Sequence, residues 1–277
     1  MRKFKPYKLP PKKNVLIQHG TSTEELELYN SIRLTAPDLI IYRGDRLILH
    51  GRELDIWIPS LKLAFEYDGL FYHNASKKDE PYYHLYKTVE CEKQGIRLVH
   101  VFSDDWTVRR AQTLDFIYKI LGKYQTLNNY YVSEISKSEG KQFLDNTHLR
   151  GNDNNAKKYL ALIYNGDIIS VISLRERDKD LEITRYAERR GIHCPNGLKD
   201  LCNFLFDKYK CDIYATVDRC IDDGSDFKKI GFKDIEASEP GYFYTKDFKT
   251  RLSEAVDNSV KVYDCGRKLL KKTQKEN

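Results

Sequence analysis

The chain has 277 residues, of which 40% are apolar and 32% charged, with a formal net charge of +6. This length suits two ordinary cores, while the charge density and the lack of any run of about 18 apolar residues exclude a membrane-embedded chain. Cys91, Cys194, Cys202, Cys211, Cys220 and Cys265 form no C-x-x-C pair, which argues against a zinc ribbon and a disulfide scaffold.

The Lys-rich start has no apolar core of a secretory signal, so a cytoplasmic location is expected. Residues 1–13 read as a basic arm carrying Arg2, Lys3, Lys5, Lys8, Lys12 and Lys13, and Lys268, Lys271, Lys272 and Lys275 crowd the other end. Basic ends beside an acidic face suit a nucleic-acid enzyme, because cations neutralise phosphates. Ser22 and Glu25 are spaced as a capping box before Leu26, Leu28 and Ile32, which predicts a helix. Two apolar runs around Arg43-Gly44-Asp45 predict an edge hairpin within residues 38–49.

From Glu53 to Ile58 the aliphatic residues alternate with Glu53, Asp55 and Trp57, and from Leu61 to Tyr67 the alternation resumes with Glu66 on the polar side. A tight turn at Pro59-Ser60 sets Asp55 opposite Ala64 and Glu53 opposite Glu66, so Asp55 and Glu66 become diagonal neighbours on one face. Like charges that close repel, and a divalent cation with hard oxygen ligands, Mg²⁺ or Mn²⁺, resolves the conflict. Residues 74–81 read as a loop over this site. Tyr82 to Gln94 then becomes helical, with His84, Lys87 and Cys91 on one face, Gly95 as its stop, and Ile96 to Phe102 as a buried strand. His73, His84 and Lys87 are candidates for proton transfer and phosphate contact. Tyr72 and Tyr83, among several tyrosines here, are candidates to stack on bases.

The segments ELDIWIP, LAFEYDGLFYH, YHLYKT, CEKQGIRLVHVF and DDW resemble, in order and spacing, the PD-(D/E)xK nuclease superfamily. The match is to the branch of very-short-patch repair endonucleases and Hef-like phage homing endonucleases, and it covers most of residues 22–106. The resemblance implies a mixed sheet flanked by helices and metal-dependent hydrolysis of double-stranded DNA. It implies Asp55, Glu66 and Glu25 as ligands of Mg²⁺ or Mn²⁺, although Glu25 can equally serve the helix cap. His73 then assists proton transfer, Asp68 extends the site, Lys87 steadies the scissile phosphate, and His84 stands second to these. One departure is Asp68, which occupies the place of the superfamily's Lys; Lys87 is the candidate replacement.

The helix from Val108 to Leu121 is expected to close the first domain, residues 14–127, followed by a linker at 128–139. Beyond it, YLALIY and IISVISL flank a hairpin turn at Asn165-Gly166-Asp167. LEITRYA, a helix from about Gly197, the strand DIYATV, a short helix into Lys229-Ile230-Gly231-Phe232, and YFYT complete residues 140–250. With FLDNTHLRG, which includes His148, and with KKIGF, they resemble the GNAT-like domain attached to Hef-like proteins, and VYDCGRK in the tail 251–277 resembles that family's C-terminal tag.

Acetyltransferases of that fold cradle a pyrophosphate with Arg/Gln-x-x-Gly-x-Gly/Ala at a helix N-terminus. Here His193-Cys194-Pro195-Asn196-Gly197-Leu198-Lys199 lacks the leading Arg or Gln and has Lys199 in place of the second small residue. That departure favours a scaffold contacting DNA through Arg150, Arg175, Arg177, Arg185, Arg189 and Arg190. The expectation is an α/β (α+β) protein of two domains acting as a phage homing endonuclease in the host cytoplasm, as monomer or homodimer. The alternatives are a GNAT-type acyltransferase with a DNA-targeting N-terminal module, and a catalytically silent DNA-binding protein.

Overall fold

The computed structural model describes residues 22–77 and 80–274; the basic arm at 1–13 and Lys275 lie outside them. In chain order the elements are α1 (Thr23–Thr35), β1 (Tyr42–Leu49), β2 (Arg52–Ile58), β3 (Leu63–Asp68), α2 (Tyr83–Lys93), β4 (Arg97–Phe102), α3 (Ser103–Val108) and α4 (Arg110–Ile120). They continue with β5 (Gln125–Thr126), β6 (Tyr131–Ile135), α5 (Lys137–Thr147), β7 (Lys158–Tyr164), β8 (Asp167–Arg177), β9 (Asp180–Glu188) and β10 (Ile192–His193). The last are α6 (Gly197–Tyr209), β11 (Ile213–Asp218), α7 (Ser225–Lys229), β12 (Lys233–Ala237), β13 (Tyr242–Thr245), β14 (Val260–Tyr263) and β15 (Arg267–Lys272). The class is mixed α/β, as expected.

The chain divides into two compact units, each assembled from separate stretches. The first comprises the described residues up to Arg110 with Asp218–Asp223 and Ser238–Arg267; the second comprises Ala111–Val217, Gly224–Ala237 and the described residues from Lys268 onward. The expected boundaries differ from these. Residues 128–139 are β6 and the start of α5 rather than a linker, α4 falls in the second unit, and the tail forms β14 and β15. Sequence-local punctuation marks turns but carries no signal for a long excursion that returns to an earlier core.

In the first unit a four-stranded sheet has the order β1-β2-β3-β4. β3 and β4 run parallel from Leu63↔Arg97 to Asp68↔Phe102, which requires a crossover, and α2 lies within it. The β2–β3 connection is a 3₁₀ turn at Pro59–Leu61 closed by Lys62 in the left-handed region at φ 48°. That longer turn sets Trp57 opposite Ala64 and Ile58 opposite Leu63, so Asp55 comes directly across from Glu66, not from Ala64. The expected edge hairpin is a single edge strand, β1, whose register shifts between Asp45 and Leu49. Gly44, at φ 63°, stays within the strand instead of reversing the chain, its neighbours Arg43 and Asp45 pairing with Ile56 and Leu54. Residues 238–267 add the β13–β14 hairpin to this unit: Asn74 bridges to Val262, and the Arg251 guanidinium holds Asp104 at 2.8 and 3.1 Å. Asn74, 1% exposed, is therefore an anchor rather than part of a loose loop.

In the second unit a seven-stranded sheet has the order β12-β15-β11-β9-β8-β7-β6. The period-2 alternation of β7 divides its side chains between two layers. Leu160 and Leu162 pack with Leu198, Leu201, Leu205 and Phe206 of α6, while Tyr159, Ala161 and Ile163 pack with Leu144 of α5. The β7–β8 hairpin turns at Asn165 and Gly166, both at positive φ, with Tyr164 paired to Asp167 as expected. No helix of the described residues is long and apolar enough to cross a membrane.

Candidate functional site

Asp55 and Glu66 are brought together, as the alternation predicts. The Asp55 N–H donates to Glu66 Oε1 at 3.3 Å, and Asp55 Oδ2 accepts from the Tyr67 N–H at 2.7 Å. Burial, and then the charge of Glu66, push the Asp55 carboxyl well above its ordinary pKa. The repulsion is met from within the chain. Lys87 of α2 reaches Glu66 Oε2 in a buried ion pair. Burial, the largest influence on that ammonium, disfavours its charge, yet Glu66, with Tyr83 and Asp55 behind it, raises its pKa. The charge conflict from which Mg²⁺ or Mn²⁺ was expected is thus compensated by Lys87.

Asp68, two residues beyond Glu66 on the same face, is fully buried among three histidines. Its Oδ1 lies 3.3 Å from His73 Nδ1 and 3.2 Å from His84 Nδ1, and its Oδ2 is 2.7 Å from His100 Nδ1. His100 Nε2 meets Thr88 Oγ1 at 3.0 Å, and that hydroxyl also donates to Cys265 Sγ at 3.3 Å. Burial alone favours the neutral acid at Asp68, but His84 and His100 hold it well below the usual carboxylate range. Burial likewise opposes a Cys265 thiolate, yet the hydrogen bond from Cys220 and the charge of His100 bring it down to about 5. His100, Thr88, Cys220 and Cys265 were missed by sequence reasoning. The signal for His100 was a lone polar residue inside the apolar strand LVHVF, where burial demands a partner; the cysteines arrive from distant parts of the chain.

Other candidates fall elsewhere. Glu25 donates its backbone N–H to Ser22 Oγ at 3.0 Å, and its carboxylate lies 3.6 Å from Arg43, so the cap forms. Desolvation raises that carboxyl's pKa. Tyr72 is 60% exposed, whereas Tyr83 packs edge-on against His73 and His84. Most of the expected DNA-contacting arginines are engaged with protein acceptors. Arg175 and Arg177 both hold Glu182, at 2.8 and 3.2 Å, and Arg189 holds Asp167 at 3.1 Å. Arg190 donates to the Asn146 carbonyl and Arg185 to those of Gly151 and Thr184. Arg150 is half-buried, its backbone N–H donating to His148 Nδ1.

A second cluster, also missed, sits at the end of β9. Glu188 Oε1 accepts from the Tyr186 hydroxyl and from the Cys194 N–H, each at 2.9 Å, and Oε2 lies 3.2 Å from His193 Nδ1. The hydrogen bond to Glu188 raises the His193 pKa, and burial, followed by the Glu188 charge, drives that of Tyr186 well up. The strands beside it separate: β11 pairs with β9 in parallel over Ile213–Ala215 against Leu181–Ile183, and beyond that the two continue without pairing to each other, while β9 stays paired to β8 up to Glu188. Gly197 opens α6 there, so tightly enclosed that a Cβ would stand 2.7 Å from Leu162 Cδ1 and 2.8 Å from Cys194 Cβ.

No family model matches the chain, and no curated protein matches it. Among solved structures it is similar to an IAA acetyltransferase from Bacillus cereus, at 14% identity and a TM-score of 0.32, over 52% of this chain and 99% of that one. It is also similar to a GNAT family acetyltransferase from Elizabethkingia anophelis with acetyl-CoA bound, at 16% identity and a TM-score of 0.34, over 53% and 99%. A third is the ribosomal-protein-S18-alanine N-acetyltransferase from Escherichia coli, at 10% identity and a TM-score of 0.33, over 52% and 94%. The likeness falls on the C-terminal part and is one of fold.

The expectation of a metal-dependent DNA endonuclease is contradicted, and with it the descriptions as hydrolase, magnesium enzyme and homing endonuclease: the similar structures are acetyltransferases. The physical ground of the error is the acidic face. Lys87, which the expectation assigned to a phosphate, pairs there with Glu66.

Proposed function

We propose that the protein is an acyl-CoA-dependent acyltransferase whose donor site lies in the second unit. The observation that carries this reading is the separation of β9 from β11. Two parallel strands that part toward their carboxyl ends leave backbone N–H and C=O groups of β9 without a ladder partner on that side. An extended arm bearing amides can complete the ladder by strand addition, and the carboxyl end of a parallel pair is where open α/β sheets receive ligands. The first N–H groups of α6, entered through Gly197, then face the diphosphate end of the donor.

In this reading a thioester supplies the acyl group: an acceptor amine forms the new C–N bond as the C–S bond breaks. Glu188, fixed by Tyr186 and Cys194, and His193 beside it form the proton relay. The relay takes the amine's proton and returns one to the departing thiolate. The double-stranded DNA expected from the sequence enters the same proposal as the target of the N-terminal unit, and salt-sensitive DNA binding by the whole chain is its test.

The donor site is tested by thermal shift with acetyl-CoA and by release of free thiol in the presence of small primary amines. Acetyl-CoA raises the melting temperature of the wild type. Asn196→Asp, at an exposed cap position whose side chain makes no capping bond, favours the helix dipole but repels a diphosphate, so it keeps stability and loses the shift. If saturating acetyl-CoA leaves the wild-type transition unmoved, the acyltransferase reading fails.

A further inference from the structure

We propose that Asp68, His73 and His84 of the first unit form a binding site for one first-row transition-metal dication of the zinc class. Each residue offers one ligand atom, and Asp68 Oδ1, His73 Nδ1 and His84 Nδ1 all lie within 4.8 Å of one another. The spacing identifies what they suit. Atoms placed about 2.0–2.1 Å from a tetrahedral zinc ion stand roughly 3.3 Å apart. Asp68 Oδ1 is 3.3 Å from one imidazole nitrogen and 3.2 Å from the other.

The alignment agrees. Asp68 Oδ1 and His84 Nδ1 are buried and make no hydrogen bond, although they are close enough to do so if they were correctly directed. A buried carboxylate oxygen and a buried imidazole nitrogen that converge without bonding are costly unless something between them accepts both lone pairs. Two imidazoles and one carboxylate select zinc, cobalt or ferrous iron over the harder magnesium. Three protein ligands also leave a coordination position open.

The fold holds each ligand from a different element. Asp68 ends β3, and His84 stands in the first turn of α2. His73 follows a short turn in which its N–H donates to the Gly69 carbonyl at 3.0 Å. Asn74 pins that turn by donating to the Leu70 carbonyl at 2.9 Å and to the Phe71 carbonyl at 2.6 Å. Outside the ligands, His100 fixes Asp68 Oδ2 at 2.7 Å, and Thr88 fixes His100. This outer pair leaves Oδ1 turned toward the two histidines, the arrangement that orients ligands in metal centres. The inference concerns the first unit and stands or falls apart from acyl transfer.

The test uses the full-length chain, stripped of metal with a chelator and then titrated with Zn²⁺ against a chromophoric competitor. A parallel titration with Co²⁺ is read by its visible ligand-field bands. Expected are one equivalent per chain, intense bands of a low-coordinate Co²⁺ site that Zn²⁺ abolishes, and no competition from excess Mg²⁺. His84→Ala and Asp68→Asn each weaken Zn²⁺ by about 100-fold or more, and His100→Ala by about 10–100-fold through the outer bond. His50→Ala, at an exposed turn, leaves affinity unchanged. Side-chain imidazole resonances of the wild type give a readout that needs no variant: His73 and His84 shift with Zn²⁺. Binding that persists in folded His84→Ala, shifts confined to other histidines, or no stoichiometric uptake would mean a bare ion-pair cluster or an adventitious ion only, and would overturn the proposal.

Discussion

The ammonium of Lys87 and the carboxylate of Glu66 meet as an ion pair with side chains 4% and 2% exposed. Such a pair earns little net stability, but breaking it strands a charge. Lys87→Met is therefore expected to cost about 3–5 kcal/mol in chemical denaturation. The double variant Lys87→Met/Glu66→Leu should recover most of that loss, because neither partner of the pair is left charged and stranded. A double variant as unstable as the single one would show that packing, not charge, dominates there.

Gly140 in α5 lies against Tyr159. An added Cβ would stand 2.3 Å from the Tyr159 Cδ1 and 2.8 Å from its Cβ, and the tyrosine is itself 2% exposed in the core. In an open helix Gly→Ala gains roughly 0.5–1 kcal/mol. Here overpacking, typically about 1–3 kcal/mol, reverses the sign. Gly140→Ala is expected to lower the unfolding midpoint; a rise would show that α5 can slide outward on the sheet.

His193 carries a pH dependence. Its pKa is raised from the ordinary 6.5, first by the hydrogen bond to Glu188, with burial opposing. A group whose folded pKa is raised contributes stability fully below the unfolded value and loses it as pH rises through the folded value. The wild type should therefore lose stability relative to His193→Gln on passing upward from the ordinary value through the raised one. Parallel thermal melts across that window check this, and identical slopes in the two proteins would remove the Glu188 interaction from the account.

Much of this structure was legible in the sequence. Ser22 caps α1, the alternation of β2 and β3 joins Asp55 to Glu66, the three- and four-residue spacing sets His84, Lys87 and Cys91 along the buried side of α2, and Asn165-Gly166 turns β7 into β8. These are local patterns of period, cap and turn. Two kinds of information were not local. The first is what a charged residue pairs with: the expectation sent Lys87 toward a phosphate, and the fold sends it to Glu66. The second is sequence-distant company. Cys265 reaches Thr88, and its own N–H donates to Cys220, only because the chain returns to the first unit after the second is largely built.

Arg251 links the late hairpin to α3. Its guanidinium grips Asp104 through two nitrogens and lies 3.7 Å over the Phe243 ring. Arg251→Leu removes charged hydrogen bonds worth about 1.5–3 kcal/mol each at most. The expected outcome is faster protease cleavage within residues 238–267 while the second unit keeps its resistance. Unchanged cleavage would show that the aromatic contacts alone retain the hairpin.

The discontinuous make-up of the first unit also dictates when it can be finished on the ribosome. Glu66, Lys87 and His100 emerge early, yet Val262, the bridge to Asn74, and Cys265, the neighbour of Thr88, are translated only after the other unit's central strands. The nascent N-terminal half must wait, partly covered, for its own last pieces. A fragment ending near residue 139 is therefore an unfinished core rather than an excisable module.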